Sequence, residues 1–235
     1  MAARALLGTH PPGAALEVWL HLGSLLPVLI VYRAELAALV RALAGRDGGR
    51  GRHALGALVL ASLPAAIAGL VARQALEAAF ASPRVAALGL VGTTLALVSL
   101  RFAPPYAHGP GHGPPDPGPL PSALVGCAQA LALVPGLSRS GTTIAAARWL
   151  GLGPAAAAAF SFLLSIPAVL GAALLEGVGH GGAGVGAAPA LAGLAAAALS
   201  GYAALWAVRR LIDRGRLDLF APYTLALALA ILWRL

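Results

Sequence analysis

The chain has no lysine, a single cysteine, and only eight acidic residues set against sixteen arginines. One cysteine, Cys127, excludes an internal disulfide and leaves no cysteine-based metal pattern, so it is expected to pack as a small apolar residue. Charged residues make up only 10% of the 235 positions, and hydrophobic ones 59%, for a mean hydropathy of +0.84. So little charge excludes an ordinary soluble domain, and the recurring uncharged stretches place the chain among polytopic helical membrane proteins. A pI near 11.2 would suggest nucleic acid for a soluble domain. In a membrane protein it reads instead as positive loops on the cytoplasmic face, with the bilayer and no nucleic acid as partner. Residues 1–15 lack the layout of a cleavable signal.

Six spans are expected, at 16–32, 54–72, 85–100, 155–175, 187–208 and 219–233. Residues 33–52 read as a polar loop with a turn at Asp47-Gly48-Gly49, 73–84 as a short loop, and 177–186 as another. Residues 103–121 are rich in Pro, Gly and His and read as an irregular linker. His108 and His112 lie four apart there without acidic neighbours, which does not make a metal site. Arg33, Arg41, Arg46, Arg50 and Arg52 cluster in one loop, and Arg209, Arg210, Arg214 and Arg216 in another. With six spans and one segment that returns to its own side, both clusters fall on one face, the cytoplasmic one, with both termini outside.

That returning segment carries the chemistry. Residues 122–134 and 140–150 are each too short to cross a bilayer and are separated by Pro135-Gly136, so they read as a re-entrant pair of half-helices. Between them runs Pro135-Gly136-Leu137-Ser138-Arg139-Ser140-Gly141-Thr142-Thr143, an arginine and four hydroxyls inside a very apolar flank. An arginine at membrane depth is costly and calls for a bound partner. The guanidinium supplies a fixed, bidentate fork, glycine lets backbone amides approach an anion, and a helix starting at Ser138 or Ser140 points its positive end at it. The pattern is that of a phosphate cradle.

The stretch from Gln129 through Val134-Pro135-Gly136-Leu137-Ser138-Arg139-Ser140-Gly141-Thr142-Thr143 to Ile144 resembles the signature of the undecaprenyl-diphosphate phosphatase family, the bacitracin-resistance proteins. Residues 160–167 (Phe-Ser-Phe-Leu-Leu-Ser-Ile-Pro) are similar to the family's next helix, and 17–24 (Glu-Val-Trp-Leu-His-Leu-Gly-Ser) to its early hydrophobic-His/Gln-Leu-Gly segment. The resemblance covers about residue 3 to the C-terminus.

It implies an all-α enzyme of the bacterial inner membrane that hydrolyses the terminal phosphoanhydride of undecaprenyl diphosphate. The product is the lipid monophosphate that carries cell-wall sugars, and the activity underlies bacitracin resistance. The resemblance further implies two inverted repeats, each with a re-entrant hairpin, and an assisting divalent cation, magnesium or calcium. On that plan the single membrane domain divides into an incomplete first repeat (1–102), the linker (103–121) and a second repeat (122–235) with its re-entrant motif at 122–150. Ser62-Leu63-Pro64-Ala65 and Ser165-Ile166-Pro167-Ala168 are a faint echo of such repetition.

The family's first hairpin, with two glutamates four apart and a Ser-Ser-Thr-Gly-His run, has no counterpart here. A late start codon or truncated gene is the expected cause, and a shortened, inactive paralogue the alternative. Ser138, Arg139, Ser140 and Thr143 are therefore carried over as the catalytic set, with Gly136, Gly141, Thr142 and Gln129 binding substrate and no metal ligand assigned. Arg139 is expected to clamp the diphosphate while Ser138, Ser140, Thr143 and amides near Gly141 and Thr142 donate hydrogen bonds. His21, Glu17 and Glu176 are the remaining acid–base candidates, with solvated or packed roles expected for each. A lipid-phosphate flippase and a non-catalytic scaffold are the rival functions, and a homo-oligomer is possible. The other large group of membrane lipid phosphatases is set aside because the chain has no Ser-Gly-His.

Overall fold

The computed structural model describes residues 14–46, 49–105, 115–180 and 186–235, which hold ten α-helices and no strand. They are α1 (Ala14–Val31), α2 (Arg33–Leu43), α3 (Arg50–Val71), α4 (Arg73–Ala81), α5 (Pro83–Ser99), α6 (Pro119–Leu131), α7 (Arg139–Trp149), α8 (Pro154–His180), α9 (Ala187–Asp213) and α10 (Ala221–Trp233). Single 3-10 turns at Leu100–Phe102 and Leu217–Phe220 extend α5 and precede α10. Four helices are long and apolar enough to cross a bilayer: Gly51–Val71, Pro83–Phe102, Pro154–Gly171 and Ala187–Asp213. The chain is an all-α polytopic membrane protein.

Two of the six expected spans take another form among the described residues. Trp19–Val31 bends by 86° into Arg33–Leu43, so the pair makes at most one broken span and raises the count from four to five. The expected polar loop is helical over 33–43 because Leu36, Leu39, Val40 and Leu43 recur at helical spacing, with Leu39 and Ala42 buried. The sixth, Leu217–Trp233, is one of the shorter apolar helices. Its start is fixed by Asp218, a buried carboxylate that accepts from Arg101 Nε at 2.7 Å and lies 3.9 Å from Arg216 Nε.

The loop expected at 73–84 is mostly α4, and α5 then starts with Ser82 as its cap, Oγ accepting from the Val85 amide at 3.4 Å, and Pro83 in the first turn. Residues 177–180, expected in a loop, continue α8. The linker is non-helical at 103–105 and 115–118. His108 and His112, like Asp47 and Gly48, lie outside the described residues.

The chain divides into two compact units, Met1–Val31 with Ile166–Trp206, and Tyr32–Ser165 with Ala207–Leu235. In the smaller unit α1 and α9 pack through small residues: a Cβ at Gly23 would stand 2.5 Å from the Leu194 carbonyl, and one at Gly201 would stand 3.2 Å from the Pro27 ring.

The larger unit holds the re-entrant pair. Here α3 crosses, α4 connects and α5 returns, so the end of α5 lies on the face where α3 began. α6 starts on that face, with Asp116 Oδ2 3.9 Å from His53 Nδ1 of α3. It packs on α3 so closely that a Cβ at Gly126 would stand 2.5 Å from the Ala61 carbonyl. Cys127, next in sequence, therefore faces away from the packing and is exposed rather than packed. After the turn at 132–138, α7 comes back to the same face, where Trp149 Nε1 donates to Ser99 Oγ at 3.1 Å. Both outer ends of the pair thus lie on one side, as expected for a segment that enters and leaves without crossing.

Candidate active site

The turn between the half-helices rests on α5, backbone against backbone. Gly136 has φ +87°, a region that favours glycine. A Cβ there would collide with the Ala86 carbonyl, and a Cβ at Gly89 with the Pro135 carbonyl, with the Leu137 nitrogen only 2.7 Å away. Thr93, one turn further along α5, pins the other side of the turn. Its hydroxyl donates to the Gly136 carbonyl at 2.8 Å and accepts from the Ser138 amide at 2.7 Å. Thr93 lies ten residues past Pro83 in the Pro83–Phe102 span, about 15 Å along it at 1.5 Å per residue. The Ser138-Arg139 step is therefore held at the middle depth of a membrane span.

Ser138 has extended backbone angles (φ −68°, ψ 116°) and caps α7, its Oγ accepting from the Gly141 amide at 3.2 Å. The Thr142 amide donates to the Ser138 carbonyl at 2.9 Å. The amides expected to meet a ligand near Gly141 and Thr142 are thus engaged in starting the helix. The amides of Arg139 and Ser140, in its first turn, make no hydrogen bond among the described residues. Arg139 is half-buried, and among the described residues its guanidinium makes no hydrogen bond and no ion pair. A half-buried cation without a partner, at the positive end of a helix, makes a local excess of positive potential in a low-dielectric setting.

The remaining predicted residues fall into two groups. The hydroxyls of Ser138 and Ser140, both half-buried, keep their protons free among the described residues, and Thr142 Oγ1 and Gln129 Oε1 are buried without a partner. Buried polar atoms left unpaired are rare and call for a ligand or water. Thr143 belongs to the second group. It is 1% exposed, and its hydroxyl donates to the Arg139 carbonyl at 2.8 Å and lies 2.6 Å from Ser161 Oγ. Gly136 and Gly141 likewise serve close packing, a Cβ at Gly141 standing 3.2 Å from Ser138 Oγ.

His21 is exposed on α1 in the smaller unit. Glu17 and Glu176 lie on α1 and α8, with side chains outside those described. The sequence assigns no role to Gly89 or Thr93, nor to Ser161 within the family-like run 160–167. The signal for the first two was present in Gly89-Leu90-Val91-Gly92-Thr93-Thr94, two glycines and two hydroxyls interrupting an apolar span.

Replacing Thr93 by valine keeps the shape and deletes the hydroxyl. It leaves the Gly136 carbonyl and the Ser138 amide unpaired at about 1–3 kcal/mol each. Hydrogen exchange at the Ser138 amide is expected to accelerate by about tenfold or more, with Thr93→Ser close to wild type.

A half-buried guanidinium, a helix N-terminus, two amides without partners and three hydroxyls, all within residues 138–142, are the groups an oxyanion with several oxygens requires, a phosphate group above all. A family model described as bacitracin resistance protein BacA matches residues 1–230. The undecaprenyl-diphosphatase of Salinibacter ruber is 36% identical over 98% of this chain and 88% of its own length. That of Desulfosudis oleivorans is 39% identical over 97% of this chain and 87% of its own, and that of Geobacter sulfurreducens 37% over 97% and 86%. The match runs nearly end to end, with the Arg139 turn and its two half-helices inside it, and the chain belongs to the BacA family of bacitracin resistance proteins.

Proposed function

We propose that the protein hydrolyses undecaprenyl diphosphate to undecaprenyl phosphate and inorganic phosphate in the bacterial cytoplasmic membrane. One observation carries the reading: a half-buried guanidinium without a partner among the described residues, held at mid-span beside the start of a helix. Water adds to the terminal phosphorus, the bridging P–O bond breaks, and the lipid monophosphate leaves. Such a transition state spreads charge over its equatorial oxygens, so positioning and electrostatics do most of the work. Arg139 grips two of those oxygens, the Arg139 and Ser140 amides point at them along the helix axis, and the Ser138, Ser140 and Thr142 hydroxyls complete the shell. The prenyl tail remains among apolar helices.

The face where α3 and α6 start carries Arg52, Arg101, Arg148 and Arg216, which makes it the cytoplasmic one. The turn passes Thr93 and reaches Ala86, three residues from the start of α5. The turn thus reaches toward the outer end of α5, while the Ser138-Arg139 step stays at the level of Thr93, mid-span.

The divalent cation implied by the family does not fit the residues around the turn. Magnesium and calcium are held largely by carboxylate oxygens. α3, α5, α6, α7 and residues 154–165 of α8 contain no Asp or Glu. The same poverty of acids supports a second reading, a lipid-phosphate transporter that binds without hydrolysis. Incubating the purified protein in detergent with undecaprenyl diphosphate and measuring released phosphate decides between them. Release above a protein-free control is expected. Lipid movement across vesicles with no phosphate release would establish the transporter instead.

A further inference from the structure

We propose that Ser161 on α8 is a positioning residue for the phosphate clamp, acting through Thr143 on the main chain of Arg139. The proposal rests on the clamp reading above. Ser161 and Thr143 are 3% and 1% exposed, so both act from within the packed interior. The direction of their hydrogen bond follows from counting protons. The Arg139 carbonyl, 2.8 Å from Thr143 Oγ1, can only accept, so the Thr143 proton points at it. The Ser140 carbonyl at 3.4 Å competes for the same proton. The 2.6 Å contact between Thr143 and Ser161 must then be donated by Ser161. The result is a one-way chain from the Ser161 hydroxyl to the Thr143 hydroxyl to the Arg139 carbonyl.

Hydroxyls in apolar helices ordinarily turn back on their own carbonyls. Ser62, Ser165 and Ser200 do so here, at 2.6–2.7 Å. Ser161 does not: among the described residues its hydroxyl makes no bond to its own helix and spends its one proton on α7. It sits between Phe160, 0% exposed, and Leu163 and Leu164, at 1% and 0%, on a buried stretch of α8. A rigid face thereby sets the χ1 of Thr143 and the orientation of the first turn of α7, where Arg139 and Ser140 present their free amides. Donation into Thr143 also polarises its own donation onward. The chain keeps Thr143 from donating to a ligand and makes it a brace.

The test is a double-mutant cycle on the full chain in detergent. It is read as kcat and KM for phosphate release, and as calorimetric affinity for a methylene-bridged farnesyl diphosphate analogue that cannot be cleaved. Ser161→Ala is expected to lower kcat/KM and the affinity for the analogue about tenfold each, the equivalent of one neutral hydrogen bond. Thr143→Val should cost more, and adding Ser161→Ala to it nothing further, because coupled neighbours are non-additive. Ser161→Thr, which keeps the hydroxyl, should recover most of the activity. Losses that multiply in the double variant, or a Ser161→Ala variant that loses unfolding temperature but keeps kcat/KM, would overturn the proposal. If the wild type binds the analogue without releasing phosphate from its substrate, the hydrolase reading fails. The same cycle, read in affinity, still decides the role of Ser161.

Discussion

Replacing Arg139 by alanine is expected to lower phosphate release about a thousandfold or more, on the scale of other arginine clamps in phosphoryl transfer. It is also expected to leave thermal stability unchanged or raised. The two effects separate because the guanidinium has no partner among the described residues. A salt-bridged arginine leaves behind an uncompensated carboxylate when deleted, and its loss destabilises the fold. Here the deletion removes a half-buried charge whose desolvation the folded chain does not offset. Lysine at 139 restores the charge without the planar fork, so Arg139→Lys should remain far below wild type.

Ligand-induced stabilisation makes the same point without turnover. Inorganic diphosphate at a hundred times its dissociation constant should stabilise the wild type by about 2.7 kcal/mol and leave the alanine variant unshifted. An alanine variant that turns over normally, or one stabilised by the anion as much as wild type, would remove Arg139 from the site.

The sequence made the turn that carries the candidate site legible because the membrane makes polarity conspicuous. Arg139 with its hydroxyls stood out against apolar flanks, and two half-helices too short to cross implied a turn at depth, which the structure places at 132–138 between Pro119–Leu131 and Arg139–Trp149. What stayed hidden was the division of labour among the hydroxyls. Ser138, Thr142 and Thr143 look alike in sequence, yet one caps a helix, one is left unpaired and one braces Arg139. The division depends on Thr93 and Ser161, 45 residues before Ser138 and 18 after Thr143, and no local pattern reports contacts at that separation. The helix at Arg33–Leu43 stayed hidden for a different reason: hydropathy sees apolar runs, and Leu36, Leu39, Val40 and Leu43 are interrupted there by charge.

The hidden contact between α5 and the turn supplies the other large effect. Gly89→Ala is expected to abolish phosphate release although alanine favours helix more than glycine does. In a solvated or lipid-facing helix interior the exchange stabilises by about 0.8–1 kcal/mol, and α5 by itself should gain that much. The Cβ, however, would overlap the Pro135 carbonyl and come within 2.9 Å of the Gly136 carbon and 2.7 Å of the Leu137 nitrogen. Those are main-chain atoms that cannot rotate away. Moving the turn outward breaks both Thr93 bonds to Gly136 and Ser138 and carries Arg139 off its mark, and misplacements of about 1 Å already cost about a hundredfold in rate.

Gly56→Ala and Gly171→Ala provide the controls: both glycines are helical with nothing within 4 Å of the added carbon, and both variants should remain active with equal or higher unfolding temperatures. Gly136→Ala adds a second fault to the same collision, since alanine at φ +87° costs about 1–2 kcal/mol more. It should therefore be less stable than Gly89→Ala. Measuring phosphate release and unfolding temperature for the four variants tests the arrangement as a whole. A Gly89→Ala protein with wild-type turnover would mean that the turn does not lie against α5, and the geometry assigned to Arg139 would fall with it.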